Sequence, residues 1–234
     1  MPKQAFVFAA IVALVGAGVV ITAAVSWHSV TPAPFLVVAA LALLAATFKV
    51  RIPGVTGAIS PVSVPILFAA GTFGWQAAAV IAAGSAILQC IWRPKTRPSA
   101  LQAAFNSATM TLSAAVATFT AGLTAPAGSF VWFIAAAMVY QVVNAFLVSV
   151  ILSLLSEGIT LGSLWRHCHL WSFPYQLAAG LFAGLWAQAA PLAEGNATPL
   201  AAIALAGVLL YQMNAFYREI VDRSGITRIG LTTS

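Results

Sequence analysis

The polar groups placed inside the long apolar stretches of this chain are carboxamides and hydroxyls. One stretch carries Gln102, Asn106, Ser107, Thr109, Thr111 and Ser113, and the next carries Tyr140, Gln141 and Asn144. Tyr175, Gln176, Gln188, Tyr211, Gln212 and Asn214 follow in later ones. Gln102 and Asn106 are spaced i, i+4, as are Tyr140 and Asn144, so each pair shares a helical face, and Gln141 joins Asn144 at i, i+3. A carboxamide among apolar groups needs a hydrogen-bond partner, so these side chains must face one another or a polar cavity. Two readings stand. The amides are interhelical bonds, contributing about 0.6 kcal/mol each, or they line an internal ligand site formed by Gln102, Asn106, Tyr140, Gln141, Asn144 and Gln176.

Acid–base chemistry is excluded from the same stretches. No Asp, Glu, Lys or Arg falls in the middle of any apolar run, whereas proton-coupled pumps, voltage sensors and intramembrane hydrolases usually need an ionisable group at depth. The run His167, Cys168, His169 alternates by two, which does not suit the helix expected from Leu170, and no further ligand lies beside it; zinc needs three or four. The Walker phosphate loop, the dinucleotide fingerprint and the nucleophile elbow do not occur. The expectation is a non-enzymatic protein with no metal and no cofactor.

The elements that position these side chains follow from composition. Hydrophobic residues make up 62% of the chain and charged ones 6%, against about 25% charged in an ordinary soluble domain. Such a chain cannot cover a soluble core with charge, and the reading is an all-α integral membrane bundle of one domain, residues 1–223, with a short tail at 224–234. The apolar runs lie at 5–27, 34–50, 61–73, 75–92, 99–123, 130–155, 170–190 and 199–217. The first is too long for a signal peptide and is expected to stay in the mature protein. The third holds Pro65 and stops at Gly74, short of the roughly 20 residues needed to cross a membrane, so 61–92 is read as a short or half-helix hairpin. The total is seven to eight membrane segments.

Charge orients the bundle. All ten Lys and Arg residues flank the runs, and one threading puts Lys3, Lys49, Arg51, Arg93, Lys95, Arg97, Arg166, Arg218, Arg223 and Arg228 on a single face. The positive-inside rule makes that face cytoplasmic. Both termini are then inside a bacterial inner membrane, provided 61–92 leaves and returns to the same face. Trp27, Trp75, Trp92, Trp132, Trp165 and Trp171 lie near run ends, where an indole reaches the membrane interface, and Trp186 sits deeper. The net charge of +6 is dispersed beside the runs, which suits lipid headgroups and not nucleic acid. Cys90 and Cys168 adjoin basic, inward segments, so no structural disulfide is expected.

Several features recur in a recognisable order: Phe48-Lys49-Val50-Arg51-Ile52-Pro53, a short segment ending in Phe73-Gly74, a basic stretch from Arg93 to Arg97, Phe105-Asn106-Ser107-Ala108, Val143-Asn144, Ser156-Glu157-Gly158, and an aromatic last run leading into Arg218-Glu219. This order resembles the N-terminal membrane-sensor modules of bacterial HD-GYP and GGDEF signalling proteins. The resemblance implies a polytopic sensor that drives a cyclic-di-GMP enzyme through its last helix. With only residues 224–234 following Arg223, the expectation is a ligand-sensing module that acts through a separate membrane or cytoplasmic partner, with a homo-oligomer as a further arrangement. The Ile52-Pro53 linker, short segment and Phe73-Gly74 are also similar to substrate-binding subunits of energy-coupling-factor vitamin transporters, which implies a transporter component that binds a small neutral or amphipathic substrate. A structural subunit of a larger membrane complex is the third alternative.

Overall fold

The computed structural model describes residues 1–27, 32–48, 50–51, 58–92, 97–156, 161–165 and 172–189. These form eight helices: α1 (Lys3–Val25), α2 (Pro32–Thr47), α3 (Ser63–Phe73), α4 (Trp75–Ile91), α5 (Ala100–Gly122), α6 (Phe130–Leu155), α7 (Leu161–Leu164) and α8 (Phe173–Ala189). A two-residue antiparallel ribbon, β1 (Val50–Arg51) with β2 (Ala58–Ile59), precedes α3. The expected all-α architecture is therefore the observed one apart from this ribbon, which lies where the sequence reads as a span end and a Pro/Gly/Ser-rich linker. The run expected at 199–217 lies outside the described residues, as do His167, Cys168 and His169.

Helix ends follow local chemistry. Ser99 and Gln102 form a capping box, in which Ser99 Oγ accepts from the Gln102 N–H at 3.2 Å and Gln102 Oε1 accepts from the Ser99 N–H at 2.8 Å. Ser129 caps α6 by accepting from the Trp132 N–H. Gly74 divides the 61–92 hairpin with a φ of +93°, a left-handed conformation that side-chain-bearing residues rarely adopt. Two helices, α1 and α6, are long and apolar enough to cross a membrane by themselves, while α2, α3 and α4 are shorter apolar helices.

Among the helices longer than one turn, the shortest, α3, is also the most enclosed. Every residue from Pro61 to Ala70 is buried, because α3 packs against α2, α4, α5, α6 and α8. A helix apolar on all sides has no face for solvent and takes the centre. Its far end is tightly held: a Cβ on Gly71 would come within 2.5 Å of the Phe133 ring and 3.1 Å of Trp132. Trp132 is only 1% exposed, which corrects its expected place at a membrane interface. The missing side chain of Gly71 leaves a slot that draws the indole into the core. Trp186 stacks on Phe68 with centroids 4.0 Å apart, and Trp27 meets Phe35 edge-on. The other correction is α7, a single turn inside the stretch 156–169 expected to be a plain connector.

Candidate ligand-binding site

The contact between α6 and α8 sets the geometry of the polar groups. Along α8, Ser172, Gln176, Gly180 and Gly184 recur at i, i+4 and so form one stripe. A Cβ on Gly180 would lie 2.7 Å from Ala137 Cβ and 2.8 Å from the Phe133 carbonyl oxygen, and one on Gly184 would lie 3.3 Å from the Phe130 ring. At the other end of the stripe, Gln141 Nε2 donates to Ser172 Oγ. Rising residue numbers on α8 thus meet falling numbers on α6, and the two helices are antiparallel. Gln176 is enclosed between these fixed contacts, one turn from Gly180 and opposite the segment Ala137 to Gln141.

Burial there is nearly complete. Tyr140 and Gln176 are each 4% exposed and Gln141 is 6% exposed. Yet Gln176 Nε2 has no hydrogen-bond partner among the described residues. An orphaned buried amide costs about 1–3 kcal/mol, so its retention calls for a reason. The small residues that close the upper part of the stripe leave no such deficit, since they present only methyls and backbone.

Another unmet group lies at the start of α3. From Gly71, packed on Phe133 and Trp132, α3 runs eight residues, about 12 Å, back to Ser63. Ser63 is 4% exposed, its Oγ has no partner among the described residues, and no side chain caps Val62 at the start of the helix. Of the first N–H groups of α3, which a helix leaves without intrahelical acceptors, that of Val64 donates to the Pro61 carbonyl at 3.2 Å. Pro65 removes one of them. The approach to this turn is pinned by Ser60 Oγ, which donates to the Ala45 carbonyl of α2 at 2.7 Å.

More hydroxyls in the same state lie on the next helices. Ser85 mirrors Ser63 across the hairpin, eleven positions from Gly74 on either side, and Thr111 follows Ser107 by one turn, where Ser107 Oγ donates to the Ala83 carbonyl at 3.4 Å. Ser85 and Thr111 are 0% exposed and neither hydroxyl has a partner among the described residues. Ser149, near the end of α6, shares that condition.

The residues expected to line a site therefore divide. Tyr140, Gln141 and Gln176 come together in the interior. Asn144 is half-buried one turn beyond Tyr140 on α6. Gln102 is exposed and engaged in the capping box of α5. Asn106 is exposed too, and its Nδ2 donates to Cys90 Sγ of α4 at 3.6 Å. Both lie on the α5 face turned outward, a phase that spacing alone leaves open. Ser63, Ser85 and Ser172 were not singled out from the sequence. For Ser63 a signal existed: a run too short to span, with proline in its first turn, must start inside the bundle.

No protein family, curated protein or solved structure matches this chain. Among the described residues, no three His, Cys, Asp or Glu side chains gather in one place. What the interior can do is hydrogen-bond: among the described residues it holds four unpartnered hydroxyls and one free amide NH2 donor group.

Proposed function

We propose that the chain is a polytopic membrane module that binds a small neutral or amphipathic ligand inside its helical bundle and acts through a partner protein, without catalysis of its own. The observation that carries the reading is the unpartnered, nearly fully buried Gln176 Nε2 opposite the Ala137 to Gln141 segment of α6. Groups that exist only to join helices find each other, as Gln141 and Ser172 do. Groups left unmet in a packed interior suit a guest.

The membrane setting has its own support. Phe6, Ile11, Leu14, Ile21 and Val25 of α1, Leu36 of α2, Phe119 of α5 and Phe146 of α6 point outward, an outer surface suited to lipid. Gly16 packs against Ala108 and Phe8 against Phe105, so α1 and α5 run in the same direction. Their starts, with exposed Lys3 and Arg97, share one end of the bundle, in line with the single basic face read as cytoplasmic. A reporter fused after residue 125 should read periplasmic, and a cytoplasmic signal there would overturn the threading.

Ligand binding is tested by native mass spectrometry of the protein released from neutral-lipid nanodiscs after expression in a bacterial host. The expected result is a bound mass of small-molecule size that the Gln176→Leu variant loses while staying folded. A spectrum of bare protein, or a mass kept by the variant, would contradict the reading. One observation favours the transporter alternative: α3 is a short apolar helix of 11 residues with a buried start, and transporters build their binding sites from discontinuous helices. Uptake of the bound compound into proteoliposomes would select it over sensing.

A further inference from the structure

The first turns of α1 carry a groove on the outer side of the bundle. It has a volume of about 390 Å³ and is lined by Lys3, Gln4, Val7, Phe8 and Ile11. Lys3, Val7 and Ile11 follow one another at i, i+4, with Gln4 and Phe8 at the same spacing beside them, so the groove runs along the helix for about 12 Å. Its polar groups are confined to one end. Lys3 and Gln4 stand exposed at the mouth, and Val7, Phe8 and Ile11 continue it with apolar side chains only. Phe8 is half-buried against the Phe105 ring of α5, with centroids 6.1 Å apart, which holds that wall in place.

Charge at this end is of one sign. The described residues include no Asp or Glu, and none occurs in the sequence before Glu157, so Lys3 has no carboxylate partner among the described residues. Arg97 shares the same end of the bundle but does not line the groove. Resting on the membrane reading above, which puts this end at the level of the cytoplasmic headgroups, we propose that the groove holds one anionic diacyl phospholipid. Its phosphate would pair with the Lys3 ammonium, Gln4 Nε2 would donate to a headgroup oxygen, and one acyl chain would lie over Val7, Phe8 and Ile11. A cation set at the mouth of an apolar channel matches such an amphiphile end to end. A zwitterionic lipid brings the same phosphate, but its ammonium finds no carboxylate among the described residues and adds a second positive charge beside Lys3. A soluble phosphate ester leaves the apolar part uncovered, and one exposed ion pair holds it weakly.

The test uses the full chain in a neutral maltoside detergent, with lipid adducts read by native mass spectrometry. It is titrated with dioctanoyl-phosphatidylglycerol, dioctanoyl-phosphatidylcholine or glycerol 3-phosphate. Phosphatidylglycerol should bind about fivefold more tightly than phosphatidylcholine, and glycerol 3-phosphate should not bind. Lys3→Gln should abolish the preference, and Lys3→Arg should keep it. Arg97→Gln removes an equal charge outside the groove and should change nothing. Val7→Trp keeps every charge, fills the groove from a position that is 54% exposed, and should weaken phosphatidylglycerol by about fivefold or more. Unfolding midpoints confirm that the variants are folded. Equal binding of the two lipids overturns the proposal, as does a preference that survives Lys3→Gln and Val7→Trp. Matched losses from Lys3→Gln and Arg97→Gln, with Val7→Trp silent, also overturn it, because they describe a diffuse basic surface. A dimer mass that Val7→Trp abolishes, without lipid adducts, would give the groove to a second copy instead. The membrane reading fails separately, if the chain stays in solution once detergent is removed.

Discussion

The contact between α6 and α8 has two halves that follow opposite rules. From Gly184 to Gly180, the helices approach so closely that a methyl group on Gly180 would collide with Ala137 and the Phe133 carbonyl, and one on Gly184 would press on the Phe130 and Phe133 rings. One turn further, from Gln176 to Ser172, the same stripe becomes polar, and its amides are only partly satisfied. The first half is held by close packing of small residues, the usual basis of helix association where water offers no driving force. The second half cannot have been retained for packing, because an apolar side chain of equal volume would fill it without an orphaned donor. Small residues fix the distance between the helices at the dry half.

Breaking the dry half should have the largest effect. Trp132→Ala removes a 1% exposed side chain from between α3 and α6, with an expected loss of about 3–5 kcal/mol, read as a lower unfolding midpoint in mild detergent. Gly180→Ala puts a methyl 2.7 Å from Ala137 Cβ, and pushing α6 and α8 apart should destabilise by about 1–3 kcal/mol. It should also weaken any ligand, since Gln176 is one turn away. In the polar half, Gln141→Leu breaks the bond to Ser172 and should lower stability by about 0.6–1 kcal/mol. Asn106→Ala tests the outward face: its contact with Cys90 Sγ is long, so the change should be under about 0.5 kcal/mol with ligand binding untouched. A loss of binding there would move the site to the α4/α5 interface.

How much of this was legible beforehand depends on which physical signal was at work. Element positions were read closely where turn chemistry is strong, as with Gly74 between α3 and α4 and the serine caps Ser99 and Ser129. The ribbon β1/β2 and the single turn α7 escaped, because both are too short for any hydrophobic period to register. For the site, helical spacing grouped Tyr140 and Gln141 each with Asn144, and of these Tyr140 and Gln141 are buried while Asn144 is half-buried. It could not tell which side of α5 turns inward, since α5 is rich in small residues all round, and so Gln102 and Asn106 were placed inside when they face out. Ser63 and Ser172 depend on contacts between elements distant in sequence, Gly71 on Phe133 and Gln141 on Ser172, which no local pattern encodes. Trp132 failed for the same reason: its burial is set by Gly71, sixty-one positions earlier.

The central claim is that the polar half of the α6/α8 contact is short of a partner until a ligand arrives. Reversible unfolding of Gln176→Leu, without ligand and beside Gln141→Leu, tests it most directly. Removing an unmet donor should raise stability by about 1 kcal/mol, opposite in sign to the loss from Gln141→Leu one turn away. If Gln176→Leu lowers stability as Gln141→Leu does, its amide is already bonded within the bundle, and the layer is structural glue with no vacancy for a guest.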